Sequence, residues 1–279
     1  MNRYKQHSIA AAAADQLLAY GYAVIDNRAN LDLVESIYAS ADSFFRKDHN
    51  AKVGFASASH LEGYRPLGAE YSEVPGRRDL NESFAVWLKN VDRPDLMSWM
   101  QDCDLHSKMR KLLPNLVETA TDILERLRIL ISPDAQPTLP SEFSYLQLNY
   151  YTLSAQARPI LMDAHEDGHL LTITAANQPG LQVDSSGQFV SVDLRLDQLV
   201  VWPGSILTAL TGGRLRPLYH RVVKLDTPVA RQSINCFVNP SLERGQPLWV
   251  NNAENRGLDI ADIAISKSTA FGLSSLDQL

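Results

Sequence analysis

Residues 164–172, Ala164-His165-Glu166-Asp167-Gly168-His169-Leu170-Leu171-Thr172, decide how the rest of the chain is read. On a helix, His165-Glu166-x-x-His169 sets two imidazoles four residues apart on one face with Glu166 as a base, the H-E-x-x-H zinc-protease pattern. On a strand, His165 and Asp167 are two apart and face the same side, a neutral nitrogen beside an anionic oxygen. That is two thirds of a 2-His-1-carboxylate iron site. The flanking residues favour the strand. Gly168 falls inside the would-be helical turn, where it costs ~1 kcal/mol relative to Ala. Leu170 to Ala175 mixes β-branched with apolar residues and leads to a Pro179-Gly180 turn. A zinc protease also needs a third ligand, yet the next Glu is Glu243, and Asp184 sits in a turn-like Asp184-Ser185-Ser186-Gly187.

From Phe143 onward the hydrophobic period is two. Candidate strands are Tyr145–Tyr151, Leu170–Ala175, Leu181–Val183, Gln188–Val192, Leu199–Trp202, Ser205–Leu210, Leu218–Leu225 and Ser233–Val238. Short strands separated by turns such as Thr211-Gly212-Gly213 predict a double-sheet jelly roll. Further pairs spaced i, i+2 share a face with one another. Arg231 and Ser233 form one. An inward Arg among Ile234, Cys236 and Val238 needs an anion, because a buried unpaired charge is costly; a bound carboxylate held bidentately would serve. A surface Arg at a strand start is the plainer alternative. Asn149 and Tyr151 form another pair, with no signal of its own. His220, between Leu218 and Val222, reads by itself as a core histidine.

Taken together, Asn149-Tyr150-Tyr151, His165-x-Asp167, His220-Arg221-Val222 and Arg231-x-Ser233 resemble the Fe(II)/2-oxoglutarate-dependent oxygenases of the isopenicillin N synthase-like, plant-type group. The resemblance extends to Gly180-Leu181-Gln182-Val183, Pro203-Gly204 and Leu210-Thr211-Gly212-Gly213-Arg214. More weakly it reaches Gly21–Ile25 and Asp79-Leu80-Asn81-Glu82-Ser83-Phe84. It implies a mainly β fold with flanking helices, a distorted double-stranded β-helix (jelly roll). It also implies His165, Asp167 and His220 as iron ligands, and Arg231 and Ser233 as the clamp for the distal carboxylate of 2-oxoglutarate. Tyr151 would assist, and Asn149 would sit nearer the chelating end. Glu166 and His169 depart from the family, standing where a small Thr or Ser and a Gly are usual.

The cofactors implied are Fe(II), 2-oxoglutarate and dioxygen. Three facial protein ligands leave three positions for the 2-oxo acid and dioxygen. Decarboxylation to succinate and carbon dioxide would drive attack on a C–H bond of a small organic molecule. The outcome would be hydroxylation, desaturation or ring closure; with Asp167 present, halogenation is disfavoured. The short chain points to microbial natural-product metabolism. Alternatives are an isopenicillin N synthase-like oxidase that uses no 2-oxoglutarate, an H-E-x-x-H zinc hydrolase, and a non-catalytic metal-binding jelly roll.

The rest of the chain frames this core. Ser8 to Tyr20 reads as a helix capped by Ser8 and stopped by Gly21; Tyr22–Ile25 is a short strand. A second helix follows Asn30 or Asp32, with Leu33, Ile37, Ala41 and Phe44 on its core stripe. Lys52–Asn81 is polar and Gly-rich, a mobile loop or a cover over a site, from which Tyr64, Arg65 and, beyond it, Phe84 could reach a substrate. Asp104–Ile131 carries the longest helical pattern, which Pro114 should kink or split. The expected organisation is one compact domain: a mainly helical part at 1–140, the catalytic core at 141–250 and a polar tail at 251–279 with a helical piece near Ile260–Ile265. A net charge of −6 argues against nucleic-acid and anionic-membrane partners. Two cysteines far apart in sequence predict no disulfide framework. With no apolar run of membrane-spanning length, a cytoplasmic monomer is expected.

Overall fold

A computed structural model describes residues 3–57, 61–72, 76–92, 99–153, 158–226, 229–241 and 245–266. Among the described residues, eleven strands and six α-helices are arranged as two antiparallel sheets with helices on one side. The strands are β1 (Ala23–Asp26), β2 (Gly63–Arg65), β3 (Glu82–Trp87), β4 (Tyr145–Tyr151), β5 (Ile160–His165), β6 (Leu171–Ala176), β7 (Leu181–Ser185), β8 (Gln188–Ser191), β9 (Gln198–Pro203), β10 (His220–Val223) and β11 (Arg231–Val238). The helices are α1 (Arg3–Tyr20), α2 (Leu31–Phe45), α3 (His49–Val53), α4 (Asp104–Ile131), α5 (Ser205–Leu210) and α6 (Ile260–Ser266).

The major sheet runs β1-β9-β6-β11-β4-β3-β2 and the minor sheet β5-β10-β7-β8. Together they form the jelly roll.

Both faces of the major sheet are buried, and the alternation of its strands shows what each face meets. Leu146, Leu148 and Tyr150 of β4, Ile234, Cys236 and Val238 of β11, and Leu171, Ile173 and Ala175 of β6 join the apolar core beneath the helices. Their neighbours Gln147, Asn149, Arg231, Ser233, Asn235, Thr172 and Thr174 point the other way, into the roll, and are buried too. Period two therefore sorts apolar residues toward the helices and polar residues toward the interior. That polar lining is a site rather than a core.

Helix α4 covers the apolar face with Leu105, Met109, Leu112, Leu116, Ile123, Leu124 and Leu127. It runs through Pro114 as one element. Burial of Leu112, Leu113 and Leu116 around the proline offsets the ~3 kcal/mol of the missing hydrogen bond and ring clash.

Three features differ from the sequence reading. Ser205–Leu210 is the helix α5 and not a strand; Ile206, Leu207 and Leu210 are buried at helical spacing, which a six-residue apolar run cannot reveal. β5 was not among the candidate strands; it ends at His165, and Asp167 lies in the connection after it. The segment at 52–81 is in part structured, supplying β2 and a loop folded over the roll; its residues 58–60 and 73–75 lie outside the described set. So do 267–279 of the tail, whose helical piece is α6. Cys103 and Cys236 are buried free thiols. Among the described residues no helix is long and apolar enough to cross a membrane.

Glu82 and Lys52 tie the 49–65 segment to the sheet. Their ion pair is 2.5 Å long with both side chains buried, and Tyr64 Oη also donates to Glu82. Tyr64 and Phe84 belong to the aromatic cluster of Phe44, Phe45 and Phe55, so they pack rather than face a substrate. Glu82→Ala strands Lys52 as a buried charge and is expected to cost about 3–5 kcal/mol in urea unfolding, whereas Lys52→Met with Glu82→Leu should recover most of it.

Candidate metal centre and active site

β10 pairs with β5 so that His220 stands opposite His165. Directly opposed residues project from the same face, and the two rings are 4.3 Å apart between centroids. Each ring is fixed by its own backbone. His165 Nδ1 lies 2.8 Å from the Asp163 carbonyl and His220 Nδ1 3.1 Å from the Leu218 carbonyl. An Nδ1–H donated to a carbonyl leaves the Nε2 lone pair for a metal.

Asp167 is brought up from the other side. Its carbonyl accepts the Ser205 N–H at 2.8 Å. Its Oδ2 accepts from Thr172 Oγ1 at 2.5 Å and from Trp202 Nε1 at 2.8 Å. Oδ1 is left 3.7 Å from His165 Nε2 and 4.0 Å from His220 Nε2. The three donor atoms lie within 4.8 Å of one another, and no other cluster of potential metal-binding side chains occurs among the described residues. Two imidazole nitrogens and one carboxylate oxygen could hold Fe(II).

The Pro203-Gly204 turn makes this approach possible. A Cβ on Gly204 would lie 2.2 Å from the His169 carbonyl oxygen and 2.8 Å from that of Asp167. Only glycine tolerates backbone that close.

Charge is settled by burial and neighbours. Burial works to raise the Asp167 carboxyl, but His220, His165, His169 and the Thr172 hydrogen bond outweigh it and bring it down to about 2. Burial, then repulsion from His165, lowers His220 to about 4. At neutral pH the site therefore presents an anion and a neutral imidazole at His220.

His169 is not part of the cluster. Its Nδ1 lies 2.8 Å from Asn239 Oδ1, and its ring packs on Tyr145 and Phe237. The 165–169 segment is not helical, so the zinc-protease arrangement is absent.

Arg231 starts β11 opposite Tyr151, and Ser233 stands opposite Asn149. Arg231 is only 2% exposed, so it is no surface residue. Its Nε donates to the Pro179 carbonyl at 2.9 Å, while Nη1 is buried with no hydrogen-bond partner. Gly180 lets this corner close: its φ is +108°, and a Cβ there would lie 2.7 Å from the Val223 carbonyl oxygen. The Arg231 Cζ lies 5.4 Å from the centre of the Tyr151 ring. Tyr151 packs on Leu161 and Val222, which belong to the strands that carry His165 and His220. A cationic dead end and a cluster of metal-ligating groups thus share one interior.

A polar network lines the same interior. Glu70 accepts from Arg65 Nη1 at 2.5 Å, from Ser83 Oγ at 3.0 Å and from Gln147 Nε2 at 3.2 Å. Asn149 Oδ1 accepts from Gln147 Nε2 at 2.8 Å and from Asn81 Nδ2 at 3.4 Å. Arg65 therefore points inward as part of this network. Sequence reasoning missed Thr172, Trp202, Glu70 and Gln147. Gln147 lies on the period-two polar face of β4, which is legible; Glu70 lies on a loop, and Thr172 and Trp202 carry no local mark as partners of Asp167.

Residues 142–240 match the family model of the 2OG-Fe(II) oxygenase superfamily. The chain is 25% identical over 235 residues to gibberellin 2-beta-dioxygenase 7 of Arabidopsis thaliana, covering 80% of this chain and 66% of that one. It is 29% identical over 199 residues to the 2-oxoglutarate-dependent dioxygenase ecdG of Aspergillus rugulosus, covering 65% and 59%. The chain thus spans about two thirds or less of the length of these relatives. Full-length Neurospora crassa T7H in complex with alpha-KG superposes with a TM-score of 0.71 at 16% identity, over 96% of this chain and 92% of that one. The rice dioxygenase for auxin oxidation gives a TM-score of 0.71 at 20% identity over the same shares, 96% and 92%. These two likenesses show the fold.

Two outcomes follow from the geometry around Asp167 and His220. Thr172→Val and Trp202→Phe each remove one of the two hydrogen bonds to Asp167 Oδ2 and are expected to weaken Fe(II) binding about 10- to 100-fold in an anaerobic titration, with the fold retained. The metal-free protein should lose stability as pH falls from about 6.5 to about 4. Below the unfolded pKa the unfolded state takes up a proton that buried His220 refuses, so stability rises with pH across this window. Thermal unfolding against pH checks it; His220→Gln should flatten the slope there.

Proposed function

From the match of residues 142–240 to the family model of the 2OG-Fe(II) oxygenase superfamily, we propose that the protein is an Fe(II)- and 2-oxoglutarate-dependent dioxygenase. Its substrate is a small organic molecule, which it hydroxylates, desaturates or cyclises with release of succinate and carbon dioxide, in microbial natural-product metabolism. The observation that carries this reading is the buried Arg231, whose Nη1 lacks a partner in the same interior as the His165, Asp167 and His220 donor atoms. A buried cation without a counter-ion costs several kcal/mol, and a dicarboxylate supplies one carboxylate for Arg231 and another for the metal.

In this reading His165 Nε2, Asp167 Oδ1 and His220 Nε2 hold Fe(II), which supplies the activation of dioxygen coupled to decarboxylation of the 2-oxo acid. Arg231 binds the distal carboxylate through its guanidinium, with the Ser233 hydroxyl beside it. Tyr151, Leu161 and Val222 form the apolar wall along the cosubstrate's methylene chain and exclude water from the charge pair. Asn149, opposite Ser233 and held by Gln147 and Asn81, would sit nearer the chelating end and orient it. Thr172 and Trp202 keep Asp167 presenting Oδ1 alone.

The test is succinate release by the Fe(II) protein supplied with 2-oxoglutarate, oxygen and candidate metabolites. Release stimulated by one of them supports the reading. Substrate oxidation without any 2-oxoglutarate requirement supports the oxidase alternative. Arg231→Gln should leave iron binding unchanged and weaken 2-oxoglutarate binding by on the order of 2–5 kcal/mol, because one charge-assisted contact to a desolvated carboxylate is lost. Glu166→Gln should retain most iron-dependent turnover, and His169→Ala should retain iron while losing stability.

A further inference from the structure

Segment 79–81 bridges the two sheets. Leu80 N–H donates to the Leu161 carbonyl of β5 at 2.8 Å, and Asp79 N–H to the Glu70 carbonyl at 3.0 Å. Asn81, next to β3, reaches Asn149 on β4 through Nδ2. The segment thus sets Asp79 beside the β5 strand that ends in His165.

Asp79 is 3% exposed and Asn81 2% exposed. Asp79 Oδ2 accepts from Ser72 Oγ at 2.9 Å, but Asp79 Oδ1 has no hydrogen-bond partner, and neither has Asn81 Oδ1. Two buried acceptors without donors are thus placed two residues apart on one bridge. Native structures leave few buried acceptors unsatisfied, and each such group calls for a partner. Asp79 lies close enough to His165 and Tyr151 for charge to act between them, which places it near the proposed site.

The surrounding charges identify what is missing. Glu70 is paired with Arg65 at 2.5 Å, and Asp163 with Arg77 at 3.1 Å. Neither guanidinium pairs with Asp79. The metal and cosubstrate of the proposed reaction do not supply the balance either. The two positive charges of Fe(II) and the one of Arg231 equal the three negative charges of Asp167 and a dicarboxylate. The filled centre is neutral and leaves the Asp79 carboxylate uncompensated, and burial already pushes its pKa up to about 6.

We propose that Asp79, with Asn81 beside it, is a substrate-specificity site that receives a cationic nitrogen, so that the substrate class is an amine carried as its ammonium. The proposal rests on the reading of the neighbouring cluster as an oxygenase centre. Ammonium N–H groups match two acceptor oxygens, and the positive charge offsets the carboxylate. A carboxylate-bearing substrate would instead meet the like charge of Asp79.

The experiment compares benzylamine, benzyl alcohol and benzoate as probes on protein loaded anaerobically with Fe(II) and 2-oxoglutarate. Ligand-observed saturation-transfer NMR reads their affinities, and calorimetry reads 2-oxoglutarate binding in the same samples. The amine is expected to bind about tenfold or more tightly than the alcohol, as one charge-assisted hydrogen bond allows, with benzoate weakest. Asp79→Asn should erase this order and leave 2-oxoglutarate affinity unchanged. Equal signals from the three probes, or none, or benzoate binding best, overturn the proposal on the wild-type protein alone, so the result does not depend on the variant folding. An amine preference that survives Asp79→Asn overturns it as well. Failure of 2-oxoglutarate to bind counts against the oxygenase reading, whereas an intact cosubstrate site without amine preference counts against Asp79 only.

Discussion

The antiparallel register that sets His220 of β10 against His165 of β5 is the constraint on which the site depends. Because side chains alternate, a slip of one residue would turn one imidazole to the opposite face and leave the other alone. The major sheet fixes a second register of the same kind, Arg231 against Tyr151 and Ser233 against Asn149. Van der Waals contact among Tyr151, Leu161 and Val222 then locks the two sheets to each other. Neither register is enforced by the polar groups themselves. It is the opposite face, with Leu146, Leu148, Ile234 and Cys236 pressed against the helices, that makes any other alignment costly.

This division explains what could be read in the sequence. Tyr145–Tyr151 alternates and is observed as β4 with the same bounds, because an apolar face against helices imposes period two whatever lies inside. The pairs two residues apart were visible for the same reason. The partners of Asp167 were not, since Thr172 and Trp202 reach it across strands and nothing in their local sequence marks them. Ser205–Leu210 was misread because a six-residue apolar run fits a strand or one and a half turns of helix equally well. The Lys52–Asn81 stretch showed least. Its order comes from single long-range contacts, such as Lys52 with Glu82 and Glu70 with Gln147, and those have no period.

The groups proposed to bind metal and cosubstrate lie between Asn149 and Ser233, whereas Glu70, Asp79 and Asn81 belong to the preceding segment. Chemistry and the proposed substrate contact therefore come from separate stretches of one chain. The rigid sheets carry the first, and a bridge held by a few backbone hydrogen bonds carries the second. A substitution in the bridge can alter the polar wall without disturbing the imidazoles, whose orientation depends only on carbonyls of their own strands or adjacent turns.

One consequence concerns the order in which the molecule can assemble. β1, at residues 23–26, pairs with β9, at residues 198–203, so the outer strand of the major sheet waits for most of the chain to be made. Until then β1 is an unpaired strand bearing Ala23, Val24 and Ile25, and such edges recruit other chains. Closing a loop of this length is also slow, because its entropy must be met before the contacts it enables are formed. The vulnerable moment of this protein is thus during synthesis and refolding, when its first strand is already free and its last partner has not yet arrived.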